Sequence, residues 1–382
     1  MNILFDENIP CGREAFATLG TARACAGRSL TSAALKDTDL LFVRSVTPVN
    51  AALLSGSRVR FVATATAGTD HVDQAYLTQA GIAFADALGS NANSVAEYVM
   101  SALCTIAERR SIELAGKTIG IVGVGHVGSL VAAKAPALGL RVLLNDPPRQ
   151  RAEPDFRGVP LEEALAADIV TLHVPLTHDG LDATQHMLDA ARLKTLKPGC
   201  ILIQSCRGPV VDNRALKEML RARHAPICVL DVWEGEPALD RELLALVDLA
   251  TPHIAGYSWA SKINGTAMVY AAACKFLGVA PAWQPPEMPA GVAAPVVALE
   301  VGRATQPAPS DTAISRAVRA VYDIAGDDAR MRAAAAADTA GSAYFDALRK
   351  NYPLRFEFHQ AQLSGTPPGV AQRLGTLGFR VE

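Results

Sequence analysis

The sequence predicts an α/β protein with two parallel-sheet units, the second of them doubly wound, followed by a small α+β module. Short apolar runs alternate with helix-like stretches over the first 90 residues, and the alternation begins again after a long helix-like segment. Half of the 382 residues are hydrophobic, which suffices for a large core and excludes a disordered chain. Five prolines then cluster at 281–295, a composition typical of a linker.

The first 90 residues contain three apolar runs that we expect to form buried strands. They are residues 2–5, 40–43 and 61–65. Turns that contain glycine, serine or asparagine separate these runs from helical stretches, which is the βα order of a parallel sheet. Residues 91–110 contain no glycine or proline, so they predict a long helix, and the preceding residues 89–91 can cap it.

The second alternation predicts the strands of the doubly wound sheet. These strands are residues 118–122, 141–145, 169–173, 200–205 and 227–231. The tail beyond the prolines is expected to be α+β. It contains a helical stretch at 311–324, an alanine run at 333–337 and a strand at 354–358.

The charge balance and the termini exclude several classes of partner. Lys and Arg number 36 against 38 Asp and Glu, and a net charge of −2 gives no support for nucleic-acid or anionic-membrane binding. Asp6 and Glu7 stand where a signal peptide carries basic residues, and no apolar run approaches a membrane span, so we expect a cytoplasmic protein. The seven scattered cysteines include no C-x-x-C pair, so no disulfide and no metal site are expected.

A glycine-rich segment lies between a predicted strand and the helical stretch 129–138. The segment matches G-x-G-x-x-G and comprises Gly123, Val124, Gly125, His126, Val127 and Gly128. Gly123 permits the tight turn, Gly125 lets the backbone approach a pyrophosphate, and Gly128 lets helix and strand pack closely. Free N–H groups and the positive end of the helix dipole then face the phosphates. The segment therefore predicts a dinucleotide-binding site.

Asp146 follows the next predicted strand, about 20 residues after the glycines, where a dinucleotide site carries an acidic residue. A carboxylate at this position accepts hydrogen bonds from the ribose hydroxyls and repels a 2′-phosphate. NAD is therefore favoured over NADP as the cofactor. Because Pro147 and Pro148 come next, Asp146 also suits the plainer role of a turn residue.

Three polar residues follow later predicted strands: Arg207 in SCRGPVVD, Glu236 in DVWEGEP and His253 in TPHIAG. Ligands of open α/β sheets bind outside the carboxyl ends of the strands, so we expect these side chains to converge there. A histidine accepts the hydroxyl proton of a 2-hydroxy acid, a carboxylate holds the histidine, and a guanidinium clamps the substrate carboxylate. Singly each is more often a surface, loop or core residue; together, after the glycine motif, they indicate hydride transfer.

These motifs, taken together with the glycine segment and Asp146, resemble the D-isomer-specific 2-hydroxyacid dehydrogenase family. The resemblance implies a Rossmann-type NAD domain inserted in a flavodoxin-like substrate domain, with the active cleft between them. The implied domains are 1–90 with 257–284 for substrate (the lid), 91–256 for NAD, and 285–382 for dimerisation. Arg207 is implied as the carboxylate clamp, His253 as the acid/base and Glu236 as its partner.

Outside those motifs, the chain is similar to one branch of this family along nearly its whole length. The similar segments include MNILFDENIP at the start, VRSVTPVN at 43–50, FVATATAGTDHVD at 61–73 and AGYSWASK at 255–262. This similarity implies NAD-dependent oxidation of 4-phospho-D-erythronate to (R)-3-hydroxy-2-oxo-4-phosphooxybutanoate, a step in pyridoxal 5′-phosphate (vitamin B6) biosynthesis. It also implies a homodimer formed through the C-terminal domain.

The same similarity assigns contact residues by position. Substrate contacts are expected from Ser45, Thr66 and Tyr257. Cofactor contacts beyond the glycine segment are expected from Asp146, Val174, Ser205, Cys206, Arg207, Asp231 and Gly256. Val174 is apolar, so only its backbone can hydrogen-bond there. Arg44 lies at a strand end and is equally a candidate for the substrate phosphate and for a solvated surface arginine.

Two other functions fit the same residues. A phosphoglycerate or hydroxypyruvate dehydrogenase would share the catalytic set, because specificity lies in few side chains. An NAD-sensing binding protein, like the corepressors that share this fold, can retain Arg207, Glu236 and His253 without turnover. The near-neutral charge and a tail without recognisable interaction motifs count against this second alternative.

Overall fold

The computed structural model describes residues 1–222, 225–299, 310–338, 341–366 and 369–381. The chain divides into two compact units. The first comprises Met1–Asn91 and Ser258–Ala293, and the second comprises Ala92–Tyr257 and Ala294–Glu382. The C-terminal residues thus belong to the same compact unit as the second sheet, and a separate C-terminal domain from residue 285 stays a prediction.

Five parallel strands form one sheet in the first unit. They are β1 (Asn2–Asp6), β2 (Thr21–Cys25), β3 (Leu40–Val43), β4 (Phe61–Thr64) and β5 (Ala83–Ala85), and the helices between them are α1 (Gly12–Ala17), α2 (Ala51–Leu54) and α3 (Gln74–Gln79). The order β2-β1-β3-β4-β5 is the flavodoxin-like order that the resemblance implies. The sequence does not predict β2 and β5, because these edge strands are only partly buried and lack a continuous run of large apolar residues.

The second unit begins with α4 (Ala92–Arg110), the long helix that the sequence predicts. Most of α4 is buried, including the fully buried Tyr98. Six parallel strands follow: β6 (Thr118–Val122), β7 (Arg141–Asn145), β8 (Ile169–Leu172), β9 (Ile201–Gln204), β10 (Ile227–Leu230) and β11 (Leu249–Ala250). The helices among them are α5 (His126–Lys134), α6 (Pro147–Ala152), α7 (Leu161–Leu165), α8 (Ala190–Leu193), α9 (Asn213–Leu220) and α10 (Arg241–Leu246).

The strand order β11-β10-β9-β8-β6-β7 makes this sheet doubly wound, as predicted. The chain runs outward in both directions from the adjacent pair β6 and β8. In such sheets the ligand crevice lies at the carboxyl ends of the strands beside this reversal point. The glycine segment follows β6 directly, so it lies at that crevice.

After residue 257 the chain returns to the first unit through α11 (Trp259–Leu277). This helix packs against β4 and β5, and Val269, Tyr270 and Ala273 join the same apolar cluster as the inward residues of β1 and β3. The Tyr270 hydroxyl lies 3.0 Å from Thr18 Oγ1. The first sheet is therefore completed by a segment that is distant in sequence.

The C-terminal part of the second unit is α+β, as predicted. It contains β12 (Val296–Ala298), α12 (Ser310–Val321), α13 (Ile324–Ala337), α14 (Ala343–Lys350), β13 (Gln362–Ser364) and α15 (Ala371–Leu377), and β12 pairs in parallel with β13. The predicted strand at 354–358 is wrong. Arg355 and Glu357, which an alternating strand would place in solvent, are both buried through polar contacts, and the described backbone there forms no strand.

A buried polar cluster joins this C-terminal part to α4 and α5. Lys134 Nζ lies 3.8 Å from the Glu97 carboxylate, and both side chains are buried. Ligand atoms of Glu97, Glu357 and His359 lie within 4.8 Å of one another, in a geometry that a metal ion could use. The Lys134 ammonium already supplies a cation to this cluster. Among the described helices, none has the length and apolar character that crossing a bilayer requires.

Candidate active site

His253 and Glu236 come together at the carboxyl edge of the second sheet. His253 Nδ1 lies 2.8 Å from Glu236 Oε2, and both side chains are partly exposed. The other carboxylate oxygen of Glu236 accepts a 2.7 Å hydrogen bond from the Trp233 backbone N–H. Because a carboxylate only accepts, Nδ1 carries the hydrogen of the neutral imidazole, and the lone pair lies on Nε2. The pair is thus arranged as an oriented proton acceptor.

The backbone around His253 is held by Asp231, which directly follows β10. Asp231 is buried, and its Oδ1 accepts hydrogen bonds from Ile254 N at 2.8 Å and Thr251 Oγ1 at 2.6 Å. Its Oδ2 accepts from Ala255 N at 2.9 Å. Burial raises the pKa of Asp231, while these three donors favour the charged form. Asp231, predicted as a cofactor contact, is therefore engaged in holding the loop that carries His253.

Arg207 follows β9, the strand next to β10 in the sheet. Its Nη1 donates to the Cys206 carbonyl at 2.9 Å, and its own carbonyl accepts from Gln204 Nε2 at 2.8 Å. A Cβ on the next residue, Gly208, would lie 2.1 Å from the Trp233 carbonyl oxygen, so the two loops touch through their backbones. The loop that carries Arg207 therefore packs directly on the loop that carries Glu236.

The glycine segment has the geometry that a bound pyrophosphate needs. Gly123 has φ of +88°, and a Cβ there would lie 2.7 Å from the carbonyl group of His173. A Cβ on Gly128 would lie 2.0 Å from the Gly123 oxygen. A Cβ on Gly125 would meet no described atom within 4 Å. Gly125 is the N-cap of α5 and provides no side-chain cap. Gly123 and Gly128 thus permit close packing, and Gly125 leaves space beside the free N–H groups of the helix. His126 and Val127 are the first two residues of that helix.

Asp146 has the turn role that was considered for it. Its Oδ1 accepts from Arg149 N at 2.9 Å and so caps α6, and its Oδ2 accepts from Val124 N at 2.8 Å in the glycine segment. Each carboxylate oxygen retains acceptor capacity for a ribose hydroxyl. The turn role is thereby observed, and the cofactor role stays a prediction.

The remaining predicted cofactor contacts lie on the same edge of the sheet. Val174 packs on the glycine turn, with a side-chain carbon 2.9 Å from where a Gly123 Cβ would stand. Ser205 Oγ is buried and has no hydrogen-bond partner among the described residues, so it can serve a bound ligand. The buried Cys206 thiol lies 3.1 Å from Gln204 Oε1. Burial raises the pKa of Cys206 to about 11, so the thiol stays protonated and packs passively.

Of the predicted substrate residues, three lie in the first unit. Arg44 and Ser45 follow β3, and Thr66 follows the adjacent strand β4, so all three lie at one edge of that sheet. Thr66 Oγ1 lies 2.7 Å from Thr64 Oγ1, which in turn lies 3.0 Å from His71 Nε2. Burial lowers the pKa of His71, so this ring is a neutral support for the Thr64–Thr66 pair.

The fourth predicted substrate residue, Tyr257, lies in the second unit, directly after Gly256. Its ring packs edge-on against Tyr352 at 5.8 Å between centroids. The Arg349 guanidinium carbon lies 5.7 Å from the Tyr257 ring, in cation–π range. Residues of the C-terminal part therefore surround Tyr257.

Sequence reasoning missed several residues that support His253. Thr251 bonds Asp231 and lies 2.8 Å from the buried Tyr98 hydroxyl, and Trp233 Nε1 donates to the Thr251 carbonyl at 3.0 Å. Thr251 and Trp233 both stand inside the motifs already singled out, so their position was a usable signal. Arg355, from the C-terminal part, contacts the same loop, and its local sequence carries no such signal.

Family models match two parts of the chain. The model described as D-isomer specific 2-hydroxyacid dehydrogenase, NAD binding domain, matches residues 87–255. A second model, a domain of unknown function, matches residues 295–378. The first match contains the glycine segment and the three proposed catalytic residues.

Curated relatives match the chain along its full length. It is 48% identical over 382 residues to the erythronate-4-phosphate dehydrogenase of Cronobacter sakazakii, with 99% of this chain and 98% of the relative covered. It is 46% identical over 387 residues to the erythronate-4-phosphate dehydrogenase of Cellvibrio japonicus, with 100% of both covered.

Solved structures match about three quarters of the chain. A D-lactate dehydrogenase from Aquifex aeolicus, complexed with NAD and lactic acid, has a TM-score of 0.61 at 26% identity and covers 72% of this chain and 96% of its own. An NAD+-bound 3-phosphoglycerate dehydrogenase from Entamoeba histolytica has a TM-score of 0.62 at 25% identity, covering 73% and 95%.

The open space at Gly125 yields a prediction about cofactor binding. In Gly125→Ala the new methyl meets no atom of the described residues within 4 Å, so the thermal midpoint should stay close to that of the wild type. The methyl would occupy the approach of a pyrophosphate, so the Kd for NAD should rise more than about tenfold, or about 1.4 kcal/mol. Isothermal titration calorimetry measures the affinity. Unchanged NAD affinity would contradict this role of Gly125.

A matched control is Gly128→Ala, whose methyl would clash with the Gly123 carbonyl oxygen. This variant should lose thermal stability, because the strand and helix around the glycine turn must move apart. The two variants together separate space kept for a ligand from space required for packing.

Proposed function

The chain belongs to the D-isomer specific 2-hydroxyacid dehydrogenase family, and we propose that it oxidises 4-phospho-D-erythronate to (R)-3-hydroxy-2-oxo-4-phosphooxybutanoate with NAD. The substrate is proposed from the identity of 46–48% with erythronate-4-phosphate dehydrogenases over nearly the whole chain, and the role in pyridoxal 5′-phosphate biosynthesis follows from it. The observation that carries the chemistry is the 2.8 Å contact between His253 and Glu236, in the unit that holds the glycine segment.

When bound, NAD would supply the acceptor for the hydride from C2 of the substrate. The residues that would hold it are the glycine turn, the free N–H groups at the start of α5, Asp146 and Ser205. The space at Gly125 supports this assignment, as does the Ser205 hydroxyl, which has no hydrogen-bond partner in the described part of the chain. The Asp146 carboxylate favours a free 2′-hydroxyl over a 2′-phosphate, so NAD is the expected cofactor.

His253 takes the proton of the C2 hydroxyl as the hydride leaves. The lone pair of Nε2 receives that proton, and Glu236 at Nδ1 stabilises the resulting imidazolium. The proton then passes from Nε2 to solvent, which the partial exposure of the ring permits. The C2–H bond breaks and its electron pair leaves with the hydride. The electron pair of the O–H bond forms the second bond of the C2 carbonyl, and the hydroxyl proton goes to Nε2.

The Arg207 guanidinium offers two parallel N–H donors for the substrate carboxylate. It would also draw electron density from the C2 oxygen as the carbonyl forms. Ser45, Thr66 and Tyr257 are proposed substrate contacts, and Arg44 a proposed phosphate contact. Arg44, Ser45 and Thr66 follow strands of the first sheet, and Tyr257 packs against the Tyr352 ring. These positions support the proposed roles.

A homodimer through residues 285–382 and a cytoplasmic location stay predictions. Two apolar side chains in that range, Val296 and Leu354, are 68% and 48% exposed in the single chain, which supports the dimer because an interface would cover them. Sedimentation of the purified chain as a monomer at micromolar concentration would contradict it.

The substrate proposal is tested by an NADH absorbance assay on the purified full chain. 4-Phospho-D-erythronate should be turned over with NAD, and with a much higher kcat/KM than 3-phosphoglycerate, glycerate or D-lactate. NADP should support little turnover. A preference for 3-phosphoglycerate or glycerate would replace the proposed substrate. NAD binding without turnover of any substrate would favour a binding protein instead.

The proton acceptor is tested by His253→Ala. Loss of the acid/base should lower kcat by roughly 10²-fold or more, with little change in NAD affinity. Glu236→Gln should cause a smaller loss, because the amide can still accept from Nδ1 but brings no charge. Steady-state kinetics measure both variants.

A matched control is His186→Ala. His186 Nε2 lies 2.6 Å from Glu234, so this variant also breaks a partly exposed histidine–glutamate pair. It should retain most of the activity. Equal losses in the His186 and His253 variants would remove the catalytic assignment.

A further inference from the structure

His253 is held in a backbone conformation that non-glycine residues rarely adopt. Its φ is +57°, in the left-handed region. Such a conformation is strained for a residue with a side chain and persists only where the surroundings determine it. Asp231 holds the backbone N–H groups of this loop. Its backbone carbonyl accepts from His253 N at 2.7 Å, and its carboxylate accepts from the N–H groups of the next two residues.

The carbonyl side of the same loop is held by Arg355, in the C-terminal part of the chain. Arg355 Nη1 donates to the Ile254 carbonyl at 3.3 Å, and Nη2 donates to the Ala255 carbonyl at 2.5 Å. Nη2 also donates to the Ser94 hydroxyl on α4, which itself donates to the Ala255 carbonyl at 2.9 Å. Both carbonyls that follow His253 are therefore fixed by one guanidinium.

Arg355 is itself rigidly placed. Its side chain is 6% exposed, and the guanidinium carbon lies 4.2 Å from the centre of the Tyr322 ring. Tyr322 lies at the end of α12, and its carbonyl accepts from Ser101 Oγ of α4 at 2.8 Å. The guanidinium is thus stacked on one element of the C-terminal part and hydrogen-bonded to the loop of His253.

We propose that Arg355 is a positioning residue for His253, through which the domain of unknown function at 295–378 takes part in catalysis. This inference rests on the proposed function of His253 as the proton acceptor. Without Arg355, the buried carbonyls of Ile254 and Ala255 each lose their charged donor and keep one neutral donor, Tyr257 N and Ser94 Oγ respectively, so the loop can relax from the left-handed conformation. The imidazole would then shift from the substrate hydroxyl, and a displacement of about 1 Å can cost about 10²-fold in rate.

A matched control exists in the same part of the chain. Arg332, on α13, donates to the carbonyls of Leu244 and Val247 at 2.7 and 2.8 Å, and its Nε binds Asp328 at 2.8 Å. Like Arg355, it ties the C-terminal part to two carbonyls of the sheet-bearing part. Its contacts lie around α10 and not on the loop of His253. Arg332 is more exposed than Arg355, and its loss removes an anchor to two carbonyls away from the catalytic pair.

The test compares Arg355→Met with Arg332→Met in the full chain. Both should lower the thermal midpoint. Arg355→Met should lower kcat at least about tenfold, by a larger factor than it changes KM or the Kd for NAD, because displacement of the proton acceptor acts on the chemical step. Arg332→Met should keep kcat within about twofold of wild type. A normal kcat in Arg355→Met, or equal losses of kcat in both variants, would overturn the inference.

A second readout does not depend on turnover. Diethyl pyrocarbonate modifies exposed imidazoles, and mass spectrometry gives the rate at His253, with His186 as an internal reference. The rate at His253 relative to His186 should change in Arg355→Met and stay unchanged in Arg332→Met; an unchanged ratio in both would also overturn the inference. Arg355→Lys provides the same measurements if the methionine variant does not fold. A wild-type chain that shows no turnover would contradict the proposed function but leave this modification test standing.

Discussion

The Asp231 carboxylate is the interaction around which the proposed site is built. It lies buried at the end of β10 and binds Thr251 and the two backbone N–H groups that follow His253. These bonds offset the cost of burying a carboxylate and of holding His253 at positive φ. The position of the His253 imidazole therefore depends on the buried Asp231 carboxylate, which accepts hydrogen bonds from the backbone. Glu236 then orients the imidazole ring.

Close backbone contacts set the remaining geometry at this edge of the sheet. Gly208 lies against the Trp233 carbonyl, and Gly123 lies against the carbonyl of His173. Any side chain at these glycines would push the loops apart. Within one unit, the loop after β6 is thereby fixed against the loop after β8, and the loop after β9 against the loop after β10. Such rigidity suits a reaction in which a hydride leaves a carbon atom while a proton leaves the hydroxyl on that carbon.

The C-terminal part of the chain is structurally continuous with the sheet that carries this site. Ala250 N donates to Asp328 of α13 at 2.9 Å, directly before the residues that lead to His253. α12 packs along α4, and the Glu97–Lys134 pair lies at the same junction. A domain with no assigned role thus forms part of the frame of the second unit, beyond any part it has in dimerisation.

The sequence by itself determined those features of the fold and the site whose evidence lies within a short segment of the chain. The predicted strands at 118–122 and 141–145 coincide with the buried strand β6 and the partly buried edge strand β7, because each contains a run of apolar residues. The roles of the glycines and the carboxylate partner of His253 could also be predicted, since both lie in short motifs. Only the tertiary structure decided the edge strands β2 and β5 and the role of Arg355. β2 and β5 lack a continuous run of large apolar residues, and Arg355 meets Ser94 from 261 residues away, where no periodicity along the chain links the two.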